Sequence, residues 1–452
     1  MQRRANGKFI PTGVLILLSL SRVQFQATSP ACAPQSSEST PMTTSTSRPD
    51  LNIRIIFICC IATVAIAFGI RQGFGLFMRP ITLDMDWSRE ALAATFATQA
   101  LMIGLMAPVT GMLADRWSPG KVIMLGGVLF SAGIATMGYA QTPTQMWAGG
   151  GLLAGCGLSA VGLPLMLSVI GRIAPPERRG LWLGIATSAS TIGQIVLIPV
   201  SQHLIAQFDW RVAVLVLSVL AAVTVPLAFV IARSTDAALS DRGDRTLREV
   251  INEARGHRGY VLLLIGFFVC GFHVQFIAIH LPAYISDMGL GLGVAATALT
   301  IIAVGNAGGS WLSGWLADRF RKRNILSAIY AARAVLFAIF IAVPISEVSV
   351  FAFSAVLGFL WLSTVPLTSS IVAQVFGPRY MATLFAFVFM SHQMGSFVGV
   401  WTGGYLFDIT GSYQSVWWIT IAMGLVASLI HIFVDDQPIE RVAMATEETQ
   451  RA

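Results

Sequence analysis

The 452-residue sequence predicts an all-α integral membrane protein, with twelve transmembrane helices in two pseudo-symmetric six-helix bundles. Three observations carry that expectation. The chain is 55% hydrophobic and only 11% charged, with a mean hydropathy of +0.72, where a soluble domain carries about 25% charged residues. Twelve apolar runs are each long enough to cross a bilayer, which takes about 20 helical residues. The hexamer GMLADR at 111–116 returns as GWLADR at 314–319.

Taken in order, the runs place spans at 54–79, 91–114, 121–140, 145–170, 180–206, 211–232, 259–286, 294–317, 324–343, 347–374, 380–407 and 412–434. A net charge of +7 would suggest nucleic acid for a soluble chain, but here it follows the membrane. Counting from Met42, the connections on one side hold twenty Lys and Arg residues, and those on the other only Arg79, Arg89 and Arg211. That bias places both termini in the cytoplasm and removes nucleic acid as a partner. The five cysteines, Cys32, Cys59, Cys60, Cys156 and Cys270, lack metal-ligand spacing, so no metal is expected.

Residues 1–50 read as a disordered extension rich in Ser, Thr and Pro. Its first part, MQRRANGK followed by FIPTGVLILLSL and Ala31-Cys32-Ala33, imitates a signal peptide with its cleavage site. Cleavage there would leave residues 34–53 outside, against the orientation set by the later loops. The expected natural start is therefore Met42.

The repeat organises the rest. GMLADR and GWLADR lie 203 residues apart, and each ends the second span of a six-span half. An offset of 202 pairs Gly69 with Gly271, Arg71 with His273, Phe74 with Phe276 and Gly193 with Gly395. An N-terminal bundle over 51–232 and a C-terminal bundle over 259–435 follow, with a hydrophilic cytoplasmic linker at 233–258 and a tail at 436–452. Within the linker TLREVINEA has the pattern of a short amphipathic surface helix, or of a solvated tether.

On these residues the sequence resembles the major facilitator superfamily of transporters. Gly111, Leu113, Ala114, Asp115, Arg116, Gly120 and Lys121 match the signature between the second and third helices, and Gly314 to Arg319 with Arg321-Lys322-Arg323 repeat it. Four stretches are similar to the bacterial monocarboxylate-transporter-like branch: FGLFMRPITLDMDWSR, ERRGLWLGI, GFHVQFIAIHLPAYISDMGL and SHQMGSFVGVWTGGYLFDITGSY. The resemblance implies the major facilitator fold, an inner (plasma) membrane location, no cofactor and a monomer. It also implies that helices 1, 4, 7 and 10 line a central cavity flanked by 2, 5, 8 and 11. A conformational latch of Gly111, Asp115, Arg116, Gly314, Asp318 and Arg319 is implied at the cytoplasmic mouth, where carboxylates meet helix dipoles or arginines. Asp115→Asn is then expected to slow the conformational cycle more than it weakens substrate binding.

Gly111 and Gly314 are expected to let neighbouring helices approach closely, as are Gly395, Gly399 and Gly403 on one helical face and Gly151 with Gly155. Ionisable residues inside spans are functional candidates, because each costs several kcal/mol in lipid. Among them are Arg71, His273, His280, Arg333 and His392, with Gln72, Gln99, Gln194, Asn306 and Gln393 as neutral companions. Arg333 falls on the ninth helix, away from the cavity, and suits snorkelling toward the surface or pairing with a helix end. The 202 offset sets Arg71 opposite His273, with His280 two turns further along. A fixed guanidinium beside imidazoles suits an organic anion. Arg71, Gln72, His273, His280, Asn306, His392 and Gln393 are the candidate substrate-binding residues.

Mid-membrane Asp and Glu are missing from the spans. Proton coupling would fall to a histidine or to Asp84, Asp86 or Asp287 near the outer mouth, or be absent. The best-known anion carriers of the branch place a cation on helix 8 or 11, where this chain offers Asn306 and His392, which puts lactate or oxalate in doubt. The favoured function is secondary active transport of a small organic anion, a monocarboxylate first, by alternating access. A drug or metabolite exporter is the alternative, although the fifth span, GIATSASTIGQIVLIP, lacks the Gly-Pro-x-x-Gly-Gly bend of the antiporters. A ligand sensor would need a signalling domain. No catalytic motif points to an enzyme.

Overall fold

A computed structural model describes residues 49–174, 179–235, 247–317, 319–377 and 381–439. The expected extension before residue 49, the middle of the linker and most of the tail lie outside the described residues. Twelve helices are long and apolar enough to span a bilayer: α1 (Ile53–Met85), α2 (Arg89–Ala114), α3 (Pro119–Tyr139), α4 (Pro143–Gly171), α5 (Trp182–Gln207) and α6 (Trp210–Ala232) in the first half. The second half holds α7 (Arg258–Asp287), α8 (Leu292–Ala317), α9 (Lys322–Ala342), α10 (Glu347–Phe376), α11 (Leu384–Thr410) and α12 (Gln414–Ile432). Between the halves, Leu247–Gly256 forms the amphipathic helix that the linker pattern allowed.

Local chemistry fixes the helix starts. Ser88 Oγ accepts Ala91 N–H at 3.1 Å to open α2, and Asp209 accepts Val212 N–H at 2.7 Å to open α6. Thr142 and Ser346 each form a reciprocal capping box, for α4 and α10. At the far end of α1, Asp86 takes a left-handed conformation (φ 52°) and stops the helix.

Each half uses the same pairings: α1 on α5, α2 on α4 and α3 on α6, repeated as α7 on α11, α8 on α10 and α9 on α12. The halves meet through α2 on α11 and α5 on α8. Glycine permits the closest pairings. A methyl group on Gly193 would strike the Ala65 carbonyl, one on Gly395 the Phe268 carbonyl, and one on Gly399 would lie 2.6 Å from Phe272 O. Gly151 and Gly155 meet α2 in the same way, at 3.0 Å from Thr95 O and 2.9 Å from Gln99 O.

Gly111 and Gly314 do not follow this expectation. An added methyl at either would meet nothing within 4 Å. Both glycines stand at the end of the bundle where no hydrogen bond between described residues joins the halves.

Three of the four helices expected to line the cavity depart from a regular α-helix. In α1, Phe74–Phe77 is 3₁₀-helical. In α4, Trp147–Leu153 is π-helical and the helix breaks again at Gly162. In α10, residues 361–363 separate Glu347–Leu360 from Thr364–Phe376. Arg333 of α9 holds that last break open: its Nε donates to Leu360 O at 3.1 Å and its Nη2 to Leu360 O and Trp361 O. The buried cation thus satisfies carbonyls that the helix has released, which is the helix-end pairing and not the snorkelling that its position also allowed.

Candidate functional site

Arg71 lies on α1 just before the 3₁₀ turn, between Gly69 and Gly73, which both face α5. Two residues from either glycine, it projects from the opposite face of the helix. The side chain is 9% exposed, and its Nε and Nη2 are buried without a hydrogen-bond partner. Buried donors left unpaired are rare and ask for an explanation. Gln72, next in sequence, is buried as well.

His273 does not face Arg71 across a cavity. Its Nε2 donates to Thr420 O of α12 at 2.9 Å, and its ring packs on Tyr330 and Phe337 of α9. Nδ1 is buried without a partner. The imidazole is held by α9 and α12 of the second half, so the expected two-sided pairing is corrected: a repeat fixes depth in the membrane but not the rotation of a side chain.

His280 is fully enclosed, with both ring nitrogens bonded. Nε2 lies 2.8 Å from Val400 O and Nδ1 3.1 Å from Tyr413 Oη. Asn306 sits between the halves. Its Nδ2 donates to Thr191 Oγ1 of α5 at 3.4 Å, and its Oδ1 accepts Leu362 N–H at the α10 break at 3.1 Å. Gln393 Nε2 donates across the interface to Ala100 O of α2 at 3.2 Å, while its Oε1 lies 3.1 Å from His392 Nδ1. His392 stacks on Phe389 and packs on Phe267.

Of the expected latch, Asp318 and the side chain of Asp115 lie outside the described residues. Arg116 is exposed, and Arg319 lies over the Trp315 ring at 3.7 Å. Two grooves open at this motif end, one of ≈ 310 Å³ beside Arg319, Arg321 and Lys322. The other, of ≈ 360 Å³, runs between the linker helix, α7 and α11, past Arg255, Tyr260 and Met394. Neither includes Arg71.

The opposite end carries a feature that the sequence reading missed. Arg89, the first residue of α2, makes a two-pronged pair with Asp287 of α7, at 2.6 and 2.7 Å. Its Nη1 also donates to Tyr413 Oη at 3.0 Å, and its guanidinium lies 3.8 Å from the centre of the Phe407 ring. The Asp408 carboxylate of α11 accepts the first two N–H groups of α2, Arg89 at 3.1 Å and Glu90 at 2.7 Å. A carboxylate from one half therefore caps a helix of the other. Trp401 donates to Glu90 at 3.2 Å, Arg79 lies 3.6 Å from Asp287, and the Gly75 backbone packs against Ala278 O. Burial raises the Tyr413 phenol above its usual range, with Arg89 pulling the other way. The signal was present in the sequence as a face with only three arginines, all close to aspartates. In the structure Arg79 and Arg89 meet Asp287, and Arg211 meets Asp84 at 3.9 Å.

Every hydrogen bond between described residues of the two halves falls from this tied end to mid-depth, at Gln393–Ala100 and Asn306–Thr191. Two bundles built on one plan, joined among the described residues by hydrogen bonds that run from one end to mid-depth, fit a membrane transporter. Residues 58–400 match the family model of the Major Facilitator Superfamily, and the chain belongs to that family.

Among curated relatives, it is 25% identical over 402 residues to the uncharacterized MFS-type transporter YcxA of Bacillus subtilis (strain 168), covering 85% of this chain and 97% of that one. It is 26% identical over 392 residues to monocarboxylate transporter 11 of Mus musculus, covering 84% and 86%. Over 364 residues it is 27% identical to monocarboxylate transporter 12-B of Danio rerio, covering 73% and 75%. The crystal structure of the nucleoside transporter NupG superposes with a TM-score of 0.71 at 14% identity, covering 85% of this chain and 99% of that one. A bacterial homolog of the human lysosomal transporter Spinster, solved inward-facing and unoccupied, gives 0.64 at 16%, covering 86% and 95%. These two likenesses concern the fold alone.

Proposed function

We propose that this chain is a secondary active transporter that moves a small organic anion, a monocarboxylate first, across the bacterial inner membrane by alternating access. One observation carries the reading: Arg71 holds two buried guanidinium nitrogens that no described residue satisfies. A bidentate carboxylate supplies acceptors for both. Arg71 is the anchor in this reading. Gln72, Asn306, His392 and Gln393 are the polar groups from which orientation is drawn, and His273 and His280 are committed elsewhere. The names of the monocarboxylate transporters among the relatives support the substrate class. Asp115, Arg116, Asp318 and Arg319 remain the proposed latch. With the motif end and both termini in the cytoplasm, as the arginine bias of the loops favours, the arrangement described above is the inward-facing one.

The test is counterflow in proteoliposomes against a carboxylate panel, with and without a pH gradient, for the parent and Arg71→Gln. The parent exchanges at least one carboxylate, and Arg71→Gln loses about 100-fold or more of that flux, as expected when one partner of a buried charged pair is removed. Carboxylate flux preserved in Arg71→Gln refutes the anchor. Movement of neutral or cationic compounds alone hands the function to the exporter reading.

A further inference from the structure

The tied end contains a chain of hydrogen bonds whose direction is fixed. Val400 O can only accept, so His280 Nε2 carries the ring proton and Nδ1 is left as an acceptor. The Tyr413 hydroxyl must then donate to Nδ1, and its oxygen accepts from Arg89 Nη1. The same guanidinium holds Asp287. The order is Arg89 to Tyr413 to His280 to Val400, and it crosses from the first half into the second. It works only while His280 is neutral.

We propose that His280 is a proton-binding site of the transport cycle, and that a proton there releases the tie between Arg89 and Tyr413. A second ring proton turns Nδ1 into a donor, and the Tyr413 hydroxyl can no longer give its hydrogen to it. Two cations then converge on one phenol oxygen, in a place walled by Phe276, Phe407 and Gly403. Their repulsion is strong there because little water screens it. The charged groups beyond Tyr413 are Arg89 and Asp287, with Arg79, Glu90 and Asp408 one contact further out. Those three contact Asp287, Trp401 and the start of α2, and the described contacts of His280 include no carboxylate to accept the new hydrogen. The tied arrangement therefore binds this proton more weakly than one in which the end has opened. By linkage, acid favours opening of the tied end and alkali favours closure. This deepens the transport reading by naming the site of the coupling ion and rests on that reading only for the word cycle; the gate and its pH response stand on the geometry.

The test needs no substrate, so its outcome is separate from that of the carboxylate panel. Spin labels are placed at Leu83→Cys and Val348→Cys, which are 68% and 78% exposed at the tied ends of α1 and α10, with the native cysteines replaced by alanine. Pulsed electron resonance then reads the separation of the halves. Acidifying the parent from about pH 8 to about pH 5.5 is expected to raise the ratio of long to short distances about tenfold. His280→Gln offers the same acceptor and donor without titrating, and is expected to stay at the short distance throughout. A parent without a pH response, or a His280→Gln variant that keeps the parent's, overturns the proposal. Should His280→Gln fail to fold, Tyr413→Phe carries the test: its distances lengthen at about pH 8 and its pH response shrinks, and an unchanged response overturns the proposal.

Discussion

The two ends of this bundle are built from the same repeat, yet among the described residues hydrogen bonds join the halves at one end and not at the other. At the tied end a bidentate ion pair, a carboxylate cap across halves and a glycine against a carbonyl all span the interface. At the motif end the two signature glycines meet open space. The difference teaches that small residues on a helix are not one kind of feature. Gly75 is small because another backbone occupies the place of its side chain, whereas Gly111 has no such neighbour in this arrangement and is free to acquire one when the ends exchange roles.

The same substitution at those two places is the sharpest way to break the comparison. Gly75→Ala forces a methyl into the Ala278 carbonyl, which should cost about 3 kcal/mol in the tied arrangement and shift the distance ratio by about 100-fold toward open. Arg89→Gln removes the charged half of the Asp287 pair. A loss of about 2 kcal/mol is expected, with a coupling above about 1 kcal/mol in a cycle with Asp287→Asn; coupling near zero would mean that the pair contributes nothing to closure. Trp401→Phe deletes a single exposed hydrogen bond to Glu90 and should change melting by about 0.5 kcal/mol. Gly111→Ala should change melting by less than about 0.5 kcal/mol while lowering turnover, since its cost arises only when the motif end closes. Unaltered turnover in Gly111→Ala would show that no helix ever packs there.

The spans were legible because apolar length is a property of sequence alone. The one large boundary error is α1, which continues past Arg79 and Asp84 to Met85; those charges look like a loop, but they sit on a helix that already projects beyond the apolar core. Packing was legible where the glycine spacing met a partner, as at Gly395, Gly399 and Gly403. It was illegible at Gly111 and Gly314, because spacing says nothing about which arrangement of a moving protein brings the partner close. The place of Arg333 on α9 left snorkelling and a helix-end pairing open, and the break at residues 361–363 that decides between them has no signal in the sequence. His273 could not be oriented: the repeat gave its depth, while its rotation was set by Tyr330, Phe337 and Thr420 on helices far away in sequence. The residues of the Arg89 network all lie in stretches that carry the family resemblance, but nothing in those stretches says that they meet.

The pairing of Arg79, Arg89 and Arg211 with aspartates also has an arithmetic of field. Around those three guanidiniums the tied end gathers seven carboxylates: Asp84, Asp86, Glu90, Asp209, Asp287, Glu347 and Asp408. An anion arriving from that side meets a repulsive potential that salt screens within about 10 Å at 0.1 M. Its capture should therefore quicken as ionic strength rises, the reverse of electrostatic steering. A proton meets the same porch as an antenna.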